Sequence, residues 1–226
     1  MFPLSILLFK GAKKAAEEQN FIDVIKAGGP ISIAIFSVLL VLSFLAVYIF
    51  IERWLAINRA GKVDKNFMNN IRAAVVSGNL EGAKALCTTT NTPIARMVNK
   101  GLNRIGKPLR DIDAAIENVG NLEIFKLEKG LSTLASIAGA APMIGFFGTV
   151  TGMIMAFQTM ATAENVGPAQ LAGGIYQALT TTAFGLLIGI IAFVGYNLLV
   201  ANVDKAVFNM EQSTVEFMDL LQEPSN

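Results

Sequence analysis

Three consecutive threonines, Thr180, Thr181 and Thr182, interrupt the apolar stretch from Gly174 to Ile190, and a fourth, Thr149, stands in a second such stretch. A hydroxyl donates one hydrogen bond and accepts two. It can line a path, orient water or bond a carboxylate, but threonine does not titrate at physiological pH and cannot store a proton. No Asp, Glu, Lys, Arg or His lies in the apolar core of either stretch. Proton relays in membranes ordinarily need an ionisable group, so a conducting role would require an acid supplied by another chain.

Small residues surround these hydroxyls at steps of three and four. Ala138, Ala141, Gly145, Gly148, Gly152 and Ala156 form one stripe; Ala178, Thr182, Gly185, Gly189 and Ala192 form another. Gly148/Gly152 and Gly185/Gly189 are GxxxG pairs, which let helices approach closely in lipid. Thr149 adjoins the first stripe and Thr182 lies on the second, so antiparallel helices would bring both to a similar depth. Three consecutive residues spread over about 200° of helix, so the triplet cannot face one pore together. Thr180 and Thr181 are expected to bond the carbonyl four residues back or a neighbouring helix. The stripes by themselves require only that helices pack.

Other chemistry is poorly supplied. The chain has no histidine and one cysteine, Cys87, which excludes an internal disulfide framework and any histidine-based metal site or catalytic dyad. No nucleophile–base pair or metal cluster stands out, so neither an enzyme nor a cofactor is expected. Glu81, Asp111 and Asp113 read as solvated helix-surface acids, and Cys87 as a small buried residue. A net charge of +1 gives no reason to expect a nucleic-acid partner.

The elements that must position the hydroxyls follow from hydropathy and charge. Of 226 residues, 53% are hydrophobic and 15% charged, and the mean hydropathy is +0.53. Soluble domains carry roughly 25% charged residues. Residues 31–51 hold no charge, and between Leu131 and Val203 the only charged residue is Glu164. A bilayer core of about 30 Å needs about 20 apolar helical residues, so three spans fit, at 31–51, 132–157 and 171–202. The fold class is therefore all-α: a polytopic membrane protein with three transmembrane helices and a helical extramembrane region at 52–131. Residues 1–30 read as an interfacial amphipathic segment rather than a signal peptide, 158–170 as a short turn and 203–226 as an amphipathic tail. Val207, Met210, Val215, Met218 and Leu221 are expected on the packed side of that tail.

Region 52–131 carries thirteen Lys/Arg against eight Asp/Glu, whereas 158–170 has no basic residue. The positive-inside rule puts 52–131 and the tail in the cytoplasm, with the N-terminus and the 158–170 turn outside. Trp54 suits the interfacial aromatic belt. Within the cytoplasmic region, Phe67, Ile71, Ala74 and Val75 share a helical face, Ser77-Gly78-Asn79 turns, and Thr92-Pro93 starts a helix that ends at Gly106-Lys107-Pro108. From Leu109 nothing stops the pattern before Pro142, which predicts one long helix rising into the second span.

"APMIGFFGTVTGMIMAF" and "GGIYQALTTTAFGLLIGIIAFVGYNLL" resemble the second and third spans of the MotA/TolQ/ExbB proton-channel family, with ExbB the nearer pattern. The order of one span, a large cytoplasmic region and two further spans matches as well. The resemblance implies a bacterial inner-membrane motor in which a homopentamer surrounds the single spans of an ExbD- or TolR-like partner. Each partner span carries an aspartate through which protons pass, and a TonB- or TolA-like protein transmits the work. It also implies that Thr149 and Thr182 face the pore, and it matches Pro142 to the second-span proline. Several relatives have glutamate where Gln177 stands. Gln177 keeps the size and hydrogen bonding without the charge, so it joins the pathway residues as an order-giving rather than a titrating group.

Three other readings stay open. A TolQ-like subunit uses the same parts, and a motility stator of the MotA type usually has four spans. A non-conducting scaffold would need the same small-residue stripes. The coupling ion is also open, because hydroxyls without a carboxylate discriminate weakly between cations; protons follow from the family alone.

Overall fold

The computed structural model describes residues 29–61, 66–162 and 168–222. Seven helices follow one another there: α1 (Gly29–Ala60), α2 (Phe67–Val76), α3 (Leu80–Thr90), α4 (Pro93–Leu102), α5 (Leu109–Glu128), α6 (Leu131–Thr162) and α7 (Pro168–Gln222). No strand occurs among the described residues. Three helical stretches are long and apolar enough to cross a membrane, one ending in α6 and the others in α1 and α7. The amphipathic segment expected at 1–30 lies almost wholly outside the described residues, as does the middle of the expected turn. α6 continues to Thr162 and α7 starts at Pro168.

The chain divides into two compact units. The apolar unit takes Met1–Val47 and Ala135–Phe193; the polar unit takes Tyr48–Leu134 and Val194–Asn226. In the apolar unit α1 buries Ile35, Phe36, Leu39 and Ala46, and Phe36 meets Phe184 of α7 edge-on with ring centres 5.9 Å apart.

The polar unit is built from local signals that the sequence displays. Asn79 caps α3 by accepting the Gly82 N–H at 2.9 Å. Asn91 closes that helix in the left-handed conformation, φ 46°. Thr92 caps α4 by accepting the Ala95 N–H at 3.3 Å, with Pro93 in the first turn. α4 packs against both α3 and α5 and contributes Ile94, Met97, Val98 and Leu102 to the core, beside Ile116 and Phe217. A Cβ on Gly101 would stand 2.5 Å from the Phe217 ring and 2.8 Å from Ile116 Cδ1, so only glycine admits both side chains there. Cys87 is buried, and that burial, only partly offset by a backbone hydrogen bond, pushes its thiol up to about 11, which makes it unreactive at neutral pH.

Two expectations are corrected. The long helix from Leu109 is interrupted: α5 ends at Glu128, Lys129 is extended and Gly130 adopts φ +85°. A glycine reaches that angle without penalty. Arg53 Nη1 donates to the Lys126 carbonyl at 3.2 Å, satisfying one of the acceptors that a helix end leaves free. The packed side of the tail also differs from the expected one. Val203, Ala206, Met210, Ser213, Phe217 and Leu220 are buried, whereas Val215 is exposed. A single phenylalanine seated on Gly101 sets the rotation of the helix, and hydrophobic spacing did not reveal that seat.

Candidate functional site

α6 and α7 meet almost backbone to backbone. A Cβ on Gly185 would stand 2.6 Å from the Ala141 carbonyl oxygen and 2.8 Å from Gly145 Cα; one on Gly145 would stand 2.9 Å from the Thr181 carbonyl. Gly148 is covered by Thr181 and Gly152 by Ala178, so residue numbers rise on one helix as they fall on the other. The two stripes read from sequence therefore face each other, antiparallel. Pro142 lies inside α6 and has no N–H to give the Ala138 carbonyl. That oxygen lies 3.1 Å from where a Gly189 Cβ would be. A Cβ on Gly189 would collide with the Pro142 ring. Pro142 and Gly189 thus form one packing unit.

Against this seam the threonines separate. Thr149 and Thr182 are hydrogen-bonded to each other through their hydroxyls. Thr182 donates to the Gly145 carbonyl at 3.0 Å, and Thr149 has the Ala178 carbonyl at 3.1 Å and the Gly145 carbonyl at 3.5 Å. Both residues are half-buried, at an edge of the seam. Thr181 is fully buried and bonds the Ala178 carbonyl at 2.7 Å and the Gly145 carbonyl at 3.3 Å. Thr180 bonds the Tyr176 carbonyl four residues back at 2.8 Å. Thr151 is likewise held by its own helix, through Phe147 and Gly148.

The geometry oversubscribes the acceptors. Three hydroxyls lie within bonding range of the Gly145 carbonyl, which has two lone pairs and serves the helix ladder as well. Their protons can therefore redistribute between partners at little cost. Thr149 and Thr182 each keep acceptor capacity on the accessible edge for a group from outside the chain. No Asp, Glu, Lys, Arg or His accompanies them in these spans, and no cluster of metal-ligating side chains occurs among the described residues.

Gln177 lies elsewhere. It precedes Thr182 by five residues, about 140° around the helix. It shares a stripe with Phe184 two turns on, whose ring meets α1. Gln177 is 7% exposed, and its Nε2 is buried with no hydrogen-bond partner among the described residues. The structure thus brings Thr149 and Thr182 together and sets Gln177 on a different face.

One charged cluster escaped the sequence reading. Glu123 on α5 is buried and accepts from Arg96 Nη2 at 2.5 Å and Lys126 Nζ at 2.6 Å. Arg96 also donates to the backbone and side-chain oxygens of Asn91 at 2.9 and 2.8 Å. Burial alone would push the Glu123 carboxyl up; the two hydrogen bonds and adjacent charges outweigh it and hold the group below its ordinary value of 4.5. The spacing to Lys126 was visible in sequence, but the pairing with Arg96, twenty-seven residues away, was not.

The profile of the MotA/TolQ/ExbB proton channel family matches residues 89–212. A putative biopolymer transport protein ExbB homolog of Methanothermobacter thermautotrophicus is 31% identical over 134 residues, 59% of this chain and 47% of that protein. The Tol-Pal system protein TolQ of Pseudomonas aeruginosa is 34% identical over 122 residues, 51% of this chain and 53% of that one. The chain thus spans about half the length of these two relatives. The biopolymer transport protein ExbB of Neisseria meningitidis is 25% identical over 190 residues, 78% of this chain and 85% of the relative.

Proposed function

The chain belongs to the MotA/TolQ/ExbB proton channel family, and on that premise we propose that it is the ring-forming subunit of an ExbB–ExbD–TonB type complex. Such a complex uses the proton motive force across a bacterial inner membrane to drive outer-membrane transport. Copies of the chain, five in the family pattern, surround the single spans of an ExbD- or TolR-like partner, and a TonB- or TolA-like protein carries the work outward. In this reading the N-terminus is outside and the tail cytoplasmic, which the excess of basic residues in 52–131 supports.

The observation that carries this reading is the Thr149–Thr182 hydroxyl pair on the accessible edge of a seam without charge. When the partner's carboxyl is protonated, it donates to one of these oxygens; when ionised, it accepts from one of the hydroxyls. The oversubscribed Gly145 carbonyl lets the hydroxyls change role between the two states without breaking the helix. The pair therefore stabilises both forms of an acid it does not itself contain. Gln177 contributes by ordering polar groups on its own face, without titrating.

Purification with the neighbouring single-span, acid-bearing protein, followed by native mass spectrometry, tests the assembly. The expected result is a multimer of this chain holding that partner. Recovery of a lone monomer would sink the proposal. A TolQ-like role is the second reading, because relatives named TolQ and ExbB both align; deleting the chain and scoring outer-membrane transport against envelope integrity separates them. A stator is ranked lower, since three candidate spans occur among the described residues. A scaffold would keep its activity with valine at Thr149 or Thr182.

A further inference from the structure

Only Lys129 and Gly130 separate α5 from α6. Lys129 stands at φ −53°, ψ 128°, and Gly130 at φ +85°. These are the central angles of a type II turn, which favours glycine at its second central position. A Cβ on Gly130 would meet only ordinary contacts, 3.6 Å from Ile49 and 3.8 Å from Arg53, so it is the angle and not the space that calls for glycine.

In an unbroken helix the Gly130 N–H would donate to the Lys126 carbonyl and the Thr133 N–H to that of Lys129. Neither bond is made; α6 starts its ladder from the Leu134 N–H, which donates to the Gly130 carbonyl at 3.1 Å. Arg53 takes the place of the first missing donor. Its Nη1 reaches the Lys126 carbonyl at 3.2 Å, and its Nη2 is tied to Glu52 at 2.5 Å. The Arg53 side chain is 13% exposed, and its stem lies along Gly130. Without Arg53 the broken form leaves the Lys126 carbonyl without a protein donor, whereas a continuous helix fills it from Gly130. Arg53 therefore weighs on one side of an equilibrium between the two forms. The balance is a close one. One long side-chain bond stands against two backbone bonds, and the cost of glycine inside a helix offsets part of their gain.

We propose that the Lys129–Gly130 turn is a coupling joint governed by Arg53. With Arg53 on the Lys126 carbonyl, α5 and α6 are separate rods; with Arg53 withdrawn, they anneal into one. α6 carries Thr149 and α5 carries Glu123. In the annealed form a turn of α6 about its axis is passed to α5, and in the pinned form two residues absorb it, as at other hinges. The role in coupling rests on the proposed function; the joint itself does not.

Amide hydrogen exchange in the full-length, partner-bound complex reads the joint at residues 130 and 133, with rates corrected for the intrinsic effect of each substitution. Gly130→Ala fits the space but not the left-handed angle, and should slow both sites by roughly tenfold. Gly130→Asn tolerates that angle and should keep the native rates. Arg53→Ala should slow both sites as well. That sign is diagnostic, because removing a side chain that merely braces the fold speeds exchange. Faster or unchanged exchange in Arg53→Ala would overturn the joint. Proton flux and ion-driven work then separate the joint from the function. Gly130→Ala is expected to assemble and to pass protons like the native complex, while its work falls severalfold. Slowed exchange with full work would remove the coupling role and leave the proposed function standing. A native complex that passes no protons would remove the proposed function and with it the coupling role.

Discussion

The two units solve the same packing problem with opposite means. In the apolar unit α6 and α7 are joined by backbone contacts at Gly145, Gly185 and Gly189, with threonine hydroxyls bonding backbone carbonyls across the seam. In the polar unit helices are joined through large side chains, Phe217 on Gly101, and through the buried carboxylate of Glu123 held by two cations. Lipid offers no hydrophobic gain for bringing helices together, so contact there depends on small residues and hydrogen bonds. Water rewards burial of bulk at about 25 cal/mol per Å², so the polar unit can use large residues. The difference teaches why the proposed site falls at the seam: without charge it has hydroxyl valences to spare, and the ion-paired cluster has few.

Breaking the apolar seam should cost the most. Gly185→Leu would drive carbon into the Ala141 carbonyl and the Gly145 backbone, costing at least about 3 kcal/mol, the upper range for overpacking. Thermal unfolding of the purified complex should show it, together with loss of all activity. A stable, active Gly185→Leu would deny the close approach.

Glu123→Ala should follow, at about 2 kcal/mol, below the cost of a fully buried pair because Arg96 and Lys126 reach water. Its folded carboxyl titrates below its ordinary value, so its stabilisation is complete above the unfolded value near 4.5 and lost as pH falls through the folded one. A denaturation series in acid should be steeper for the native chain than for Glu123→Gln; identical slopes would remove the cluster from the account.

The hydroxyls sharpen the comparison at the small end of the stability scale. Thr149→Val or Thr182→Val should change stability by only about 0.6 kcal/mol, the mean for intramembrane side-chain hydrogen bonds, yet abolish ion-driven work. Thr181→Val should cost a similar amount and lower work less than either, since Thr181 is enclosed and acts only by sharing the Gly145 carbonyl. Thr180→Val should change neither detectably, because its hydroxyl bonds only its own helix.

Much of this was legible in sequence because it depends on period. The stripes, the antiparallel seam, the separation of Thr182 from Thr180 and Thr181, and the Thr92-Pro93 cap follow from helical spacing and local chemistry. What sequence hid depends on single long-range contacts. Gly130 looked like an ordinary helical glycine, and nothing local showed that Arg53 would supply a donor to the Lys126 carbonyl. The tail's rotation followed Phe217 into its seat on Gly101 rather than the best hydrophobic stripe. Glu123 needed Arg96 from another helix, a pairing that spacing along one helix cannot reveal. Gln177 read as a neighbour of Thr182 in sequence, but five residues turn it onto another face.

The central claim is that the Thr149–Thr182 pair, not the triplet, serves the ion path. Proton flux through the partner-bound complex in liposomes, compared between Thr182→Val and Thr180→Val, tests it most directly. The account predicts that Thr182→Val lowers flux by roughly tenfold or more, a difference of about 1.4 kcal/mol, in a complex that still assembles, while Thr180→Val conducts like the native chain. Native-like flux through an assembled Thr182→Val complex would contradict it.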